Sequence, residues 1–239
     1  MRNVAAIFAL LCCVVLPAAG QTAQSKTSAP QSDSKNAPAG AQTNHVAANN
    51  IDGIAVRIGD DVVTDSEVRQ LEDYQQLIDG HAENRAAVLQ ELVDQWIVRT
   101  EAATTKFPHP TMSEVAEEFQ ALVRRFKSPQ EFQARLAQAG LTQEAVRQVL
   151  ERQIYYVRFL DYKFHAAAQV TSVEIEAYYQ KELAPQLEKK GLSVPPLNQV
   201  EAQIRQLLTQ EGINQKAAQW LEEAKARLRI VIQPSGGDG

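Results

Sequence analysis

Four histidines, His45, His81, His109 and His165, are the side chains best suited to proton transfer near neutral pH or to metal binding, and their spacing serves neither purpose. No two fall at an interval that would place them on one helix face, as a metal pair requires. His45 lies in a polar stretch, and His109 is held between Pro108 and Pro110. The carboxylate pairs Glu117-Glu118 and Glu222-Glu223 are adjacent, so on a helix they diverge instead of converging on one substrate. The sequence contains no glycine-rich phosphate loop and no Gly-x-Ser-x-Gly elbow. These absences predict no catalytic centre, no metal site and no cofactor. Aromatic chemistry is better represented. Tyr155, Tyr156, Phe159, Tyr162 and Phe164 crowd one segment, with rings on more than one face of a helix. Such a helix is either buried from several sides or lends part of its ring surface to a groove. Tyr155, Tyr156, Phe159 and Tyr162 are the candidate peptide-binding residues under the second reading. A tyrosine ring accepts many apolar partners while its hydroxyl stays wet.

The elements that carry these rings announce themselves by their caps. Thr64 with Glu67, Thr111 with Glu114 and Thr171 with Glu174 have capping-box spacing. Ser128 precedes Pro129 and Glu131, a cap followed by a first-turn proline. Gly140 closes one helix before Thr142 opens the next. Between caps the apolar period is helical, as in Val146, Val149, Leu150, Ile154, Val157 and Leu160. The pattern predicts helices over 65–79, 83–105, 112–126, 129–139, 143–167, 172–189 and 197–228. The last would be about 48 Å long if straight, and Gly212 within it predicts a kink or break. Strand candidates are Ile54–Ile58, Val62–Val63 and Arg229–Ile232. Strands this short are stable only if the two ends of the chain meet and pair. The expected fold is therefore all-α, with a minimal sheet formed by the N- and C-terminal strands. Trp96 and Trp220, both at stripe positions, are expected to anchor the core.

The first twenty residues read as a signal peptide. Arg2 supplies the charge, Val4 to Leu16 the apolar stretch, and Pro17-Ala18-Ala19-Gly20 the cleavage context. The apolar stretch is shorter than the roughly eighteen residues of a membrane span. Cys12 and Cys13 raise a lipoprotein signal as the alternative, but they lie within the apolar stretch and Leu11 is bulky. Cleavage would remove both cysteines and leave no disulfide or thiol. Residues 21–50 are rich in Gln, Ser, Thr, Ala, Asn and Pro, with Val46 the only branched aliphatic, and read as a disordered leader. Residues 234–239 read as a similar tail, leaving 51–233 as the folded part. The formal net charge is −5, and loss of Arg2 would make it one unit more acidic. Residues 132–152 imitate a helix-turn-helix, but an acidic exported chain is poorly suited to neutralise phosphates, so nucleic acid is not an expected partner. No other run is long and apolar enough for an integral membrane segment.

Several segments together resemble the SurA/PrsA family of extracytoplasmic folding factors. Ile54–Val68 and Leu89–Val98 are similar to the opening of a SurA N-terminal domain, as is Gly140-Leu141-Thr142-Gln143-Glu144-Ala145-Val146-Arg147 followed by Gln153-Ile154. Val170–Tyr179 resembles the lead-in to that family's parvulin prolyl-isomerase domain, and Val200–Ile232 the helix and strand that follow it. The departure lies between Tyr179 and Leu197, where this chain has a short Pro- and Lys-containing connection in place of a parvulin domain. Gly212 also departs from an unbroken closing helix. The resemblance implies a SurA-like peptide-binding module without isomerase activity. That would be an ATP-independent periplasmic holdase for unfolded exported or outer-membrane proteins, with a homodimer left open. Two alternatives stand beside it. One is an isomerase-related protein acting with a partner, and the other is a helical adaptor in a cell-envelope or secretion assembly.

Overall fold

The computed structural model describes residues 52–233; the expected signal peptide, leader and tail lie outside them. Strand β1 (Ile54–Ile58) turns at Gly59, whose φ is +59°, into β2 (Asp61–Thr64). Helices α1 (Asp65–Asp79), α2 (Arg85–Thr104), α3 (Met112–Val123), α4 (Pro129–Gln138) and α5 (Gln143–Phe164) follow. A 3₁₀ turn, His165–Ala167, leads to α6 (Ser172–Tyr178), a π-helical turn (Tyr179–Leu183) and α7 (Ala184–Lys189). The chain closes with α8 (Leu197–Arg227) and β3 (Ile230–Ile232). The described part is predominantly helical with one small antiparallel sheet.

The sheet runs β2-β1-β3, so the first strand lies between its hairpin partner and the last strand of the chain. β3 pairs with β1 in the register Val56↔Ile232, Arg57↔Val231 and Ile58↔Ile230. The expected pairing of the two chain ends is therefore present. Ala55, Val56, Ile58 and Val63 turn into the core, while Arg57 faces out.

All three capping boxes form with both hydrogen bonds in place. They satisfy backbone donors that a helix start otherwise leaves orphaned, and they fix where α1, α3 and α6 begin. The single helix expected over 172–189 is interrupted. Pro185 has no N–H, and its ring would clash with the carbonyl four residues back. The preceding turn widens instead, and Ala184 N–H bonds to Tyr179 O in the five-residue pattern of a π turn.

Gly212 corrects another expectation. Helix α8 runs unbroken through it. A Cβ at this position would lie 3.1 Å from the Cβ of Ala168, so the glycine serves close packing of α8 against the chain that follows α5.

Helix α5 is the axis of the fold, packing against α1, α2, α3 and α8. One continuous core holds Val68, Leu71, Leu92, Val93, Val146, Leu150, Phe159, Leu160, Ile213 and Leu221. Trp96 and Trp220 pack at its margin, half-buried. Ile175 of α6 and Ile204 of α8 are buried apart from this core, where α6 packs along the first half of α8. Tyr179 Oη donating to Pro195 O at 2.8 Å and Arg205 to Val170 O at 3.1 Å tie that smaller layer together.

Two carboxylates of α2 enter the packed interior. Asp94 and Lys225 form an ion pair at 3.1 Å between α2 and α8, with both side chains largely covered. The ammonium lies off hydrogen-bond geometry, so Asp94 Oδ1 is buried with charge compensation but no aligned donor. Burial pushes the Asp94 carboxyl up, and the Lys225 charge opposes this only in part. Glu91 has no cation to meet it. Burial pushes its pKa up to about 7, against hydrogen bonds from Gln95 and Gln75 that favour the charged form.

Candidate functional site

The aromatic residues of α5 are divided by the packing around them. Tyr155 is 5% exposed, Tyr156 6% and Phe159 1%, whereas Tyr162 is 65% exposed. Three of the four candidate peptide-binding residues are thus core residues in the free protein. The physical reason is the position of α5, which has neighbours on almost every side, so a ring on nearly any face meets another helix. Only near the C-terminal end of α5 does a ring escape.

Tyr162 does not stand alone there. α2 ends at Thr104, and Lys106, in a left-handed conformation (φ 52°), swings the chain into Phe107-Pro108-His109-Pro110. The two prolines restrict this connection, and Phe107 N–H is still held by Ala102 O at 3.0 Å. Tyr155 Oη donates to Phe107 O at 3.3 Å. The Phe107 ring therefore sits among three rings of α5, with centroids 5.7 Å from Tyr155, 5.4 Å from Phe159 and 5.2 Å from Tyr162. His109 stacks on Tyr155 at 4.4 Å, nearly parallel. Desolvation raises the Tyr155 pKa, so its hydroxyl remains a neutral donor. Such ring pairs add stability beyond their buried area, and here they back an exposed ring with a rigid floor.

The rim is charged and internally paired. The Arg158 guanidinium lies 5.9 Å from the Phe107 ring centre and binds Glu114 of α3 at 2.9 Å. Hydrogen bonds from Thr111, with a smaller effect of Arg158, hold the Glu114 carboxyl below its ordinary pKa. Lys163 lies 5.8 Å from the Phe159 ring and 4.9 Å from Trp220, and binds Glu101 at 2.8 Å. Met112, the first residue of α3, is 91% exposed just after the proline-flanked loop. The result is a surface of Tyr162, Phe107 and His109 with little net charge at its edge. It can hold an apolar side chain by ring contact.

Tyr156 is not part of this cluster. Together with Tyr155 it lines a separate cleft of about 50 Å³ bounded by Trp96, Glu67, Arg99 and Arg152. Burial lowers the Arg152 pKa, with the Glu67 charge opposing, and Arg152 is engaged with Gln70 at 2.6 Å. The cleft has room for a few waters and no more.

Sequence reasoning missed Phe107 and its loop, and gave His109 no part in the aromatic cluster. The signal was present, since an aromatic residue followed by Pro-His-Pro at a helix end makes a stiff connection that offers rings to a neighbour. Among the described residues no helix is long and apolar enough to cross a membrane. No protein-family model matches the chain, and no curated protein resembles it closely enough in sequence to count as a match.

Proposed function

We propose that this protein is an ATP-independent chaperone of the bacterial periplasm, a holdase that binds unfolded exported or outer-membrane polypeptides. The observation that carries this reading is the exposed Tyr162 ring on the floor made by Phe107, Tyr155 and Phe159. A rigid, sequence-tolerant ring surface suits weak capture of apolar side chains. The resemblance of Ile54–Val68, Val170–Tyr179 and Val200–Ile232 to SurA-type segments supports the same reading. The signal-like first segment supports it too, since export would bring the chain to a compartment without ATP. The short connection between α6 and α8 fits a module with no isomerase domain inserted at that point.

The test is light scattering of an unfolded outer-membrane protein diluted from urea, with and without the mature chain. Dose-dependent suppression is expected at near-stoichiometric protein. Tyr162→Ala should weaken suppression several-fold while leaving the circular dichroism unchanged, because its ring is mostly solvated. No suppression across several clients would sink the reading. A single stoichiometric folded partner in a pull-down would point instead to an envelope adaptor.

A further inference from the structure

We propose that the free edge of β3 captures extended polypeptide as an added strand, favouring apolar segments flanked by a carboxylate. The inference deepens the holdase reading and rests on it. Among the described residues, in the order β2-β1-β3, the last strand has a neighbour on one side only. Gly59 N–H donates to Arg229 O at 3.1 Å, and Gln233 N–H to Ala55 O at 2.9 Å. An antiparallel ladder alternates bonded and non-bonded pairs. Arg229, Val231 and Gln233 therefore spend their main-chain groups on β1. Ile230 and Ile232 turn theirs to the open side.

The side chains fit an apolar partner. Val231 is 38% exposed and Ile232 59% exposed, and all three residues of the strand are β-branched. Edge strands are ordinarily guarded by lysine, proline or a bulge. Between Ile230 and Ile232 there is no such guard.

Charge selects among occupants. Arg57 lies directly opposite Val231 on the outer face, and Arg229 is two residues along on that same face. Arg227 ends α8 just before them. None of these three guanidinium groups has an ion-pair or hydrogen-bond partner among the described residues. The acidic neighbours in sequence are Asp60 and Asp61 in the β1–β2 hairpin and Glu222 and Glu223 near the end of α8; Asp61 accepts from Trp96 Nε1 at 3.1 Å, and Glu222 is paired with Lys225 at 2.6 Å. Three unpaired guanidinium groups therefore lie along this edge, free to meet a carboxylate of an incoming segment. Three strand residues fall far short of the roughly 800 Å² per partner of a stable dimer. A passing segment needs no such area. Strand addition draws on main-chain bonds that any extended sequence can make.

The test uses fluorescence anisotropy of a synthetic peptide alternating Val, Thr and Tyr with two Glu at one end, bound to the mature chain. Ile232→Pro removes an outward N–H without touching a bond to β1. It should weaken binding about fivefold or more, the worth of one net hydrogen bond plus the ring's obstruction. Ile232→Ala keeps the donor and should cost less. Replacing the two Glu with Lys should weaken binding to the wild type, and Arg229→Gln should narrow that gap. Unchanged affinity in Ile232→Pro, with Tyr162→Ala still impaired, overturns the edge while leaving the holdase reading intact. A wild type that binds no peptide overturns both. A dimer in sedimentation that Ile232→Pro dissolves gives the edge to a second copy and overturns the peptide assignment.

Discussion

Glu91 shows how a single side chain can set a pH profile. Its carboxyl is packed between α1 and α2 with two amide donors and no cation, and burial raises its pKa to about 7. A carboxyl whose folded pKa exceeds its unfolded value near 4.5 makes the folded state bind the proton more tightly. The stability it contributes is therefore full below about pH 4.5 and is lost as pH rises to about 7. Glu91→Gln should remove that loss. In urea melts the variant should be more stable than the wild type by about 1–3 kcal/mol at pH 8, with the gap closing at pH 4.5. A gap that does not change with pH would mean that Glu91 titrates normally. Asp94, one turn further along α2, is also pushed up by burial, with the Lys225 charge opposing.

Elements are where the sequence spoke most clearly, and where it stopped is instructive. Helix starts were legible because a threonine with glutamate three residues later has one physical use, and Thr64, Thr111 and Thr171 all serve it. The pairing of the end strands followed from their being too short to stand alone. Gly212 was misread because a helical glycine has two explanations, a flexible joint or a close neighbour, and the neighbour, Ala168, is distant in sequence. The candidate site was legible in part. Tyr162 and the crowded helix could be named, but burial of Tyr155, Tyr156 and Phe159 depends on the four helices around α5. A test of the close-packing explanation belongs here. Gly212→Val should destabilise by about 1–3 kcal/mol through overpacking against Ala168. Gly212→Ala should be nearly neutral, since better helix propensity offsets the tight contact. If valine is tolerated without loss, α8 and Ala168 are less firmly apposed than the 3.1 Å spacing requires.

Across the whole molecule the layers have unequal jobs. The main core surrounds α5 and fixes the ring floor, while α6 and the first half of α8 form a smaller layer around Ile175 and Ile204. Few buried contacts hold that second layer, so its amides should exchange faster than those of α5. The sheet joins residues from the two ends of the described chain. In a chain that emerges N-terminus first, β1 is present well before its partner β3. Until then one flank of β1 is an open strand, and Arg57, opposite Val231, has no ladder to join. Completion of the sheet therefore waits for the arrival of β3. In pulse-labelled chains arrested before Arg229, the Arg57 amide should exchange freely while the helix amides of α5 are already protected. The order of the strands thus makes closure of the sheet the last step of folding, because β1 must wait for β3.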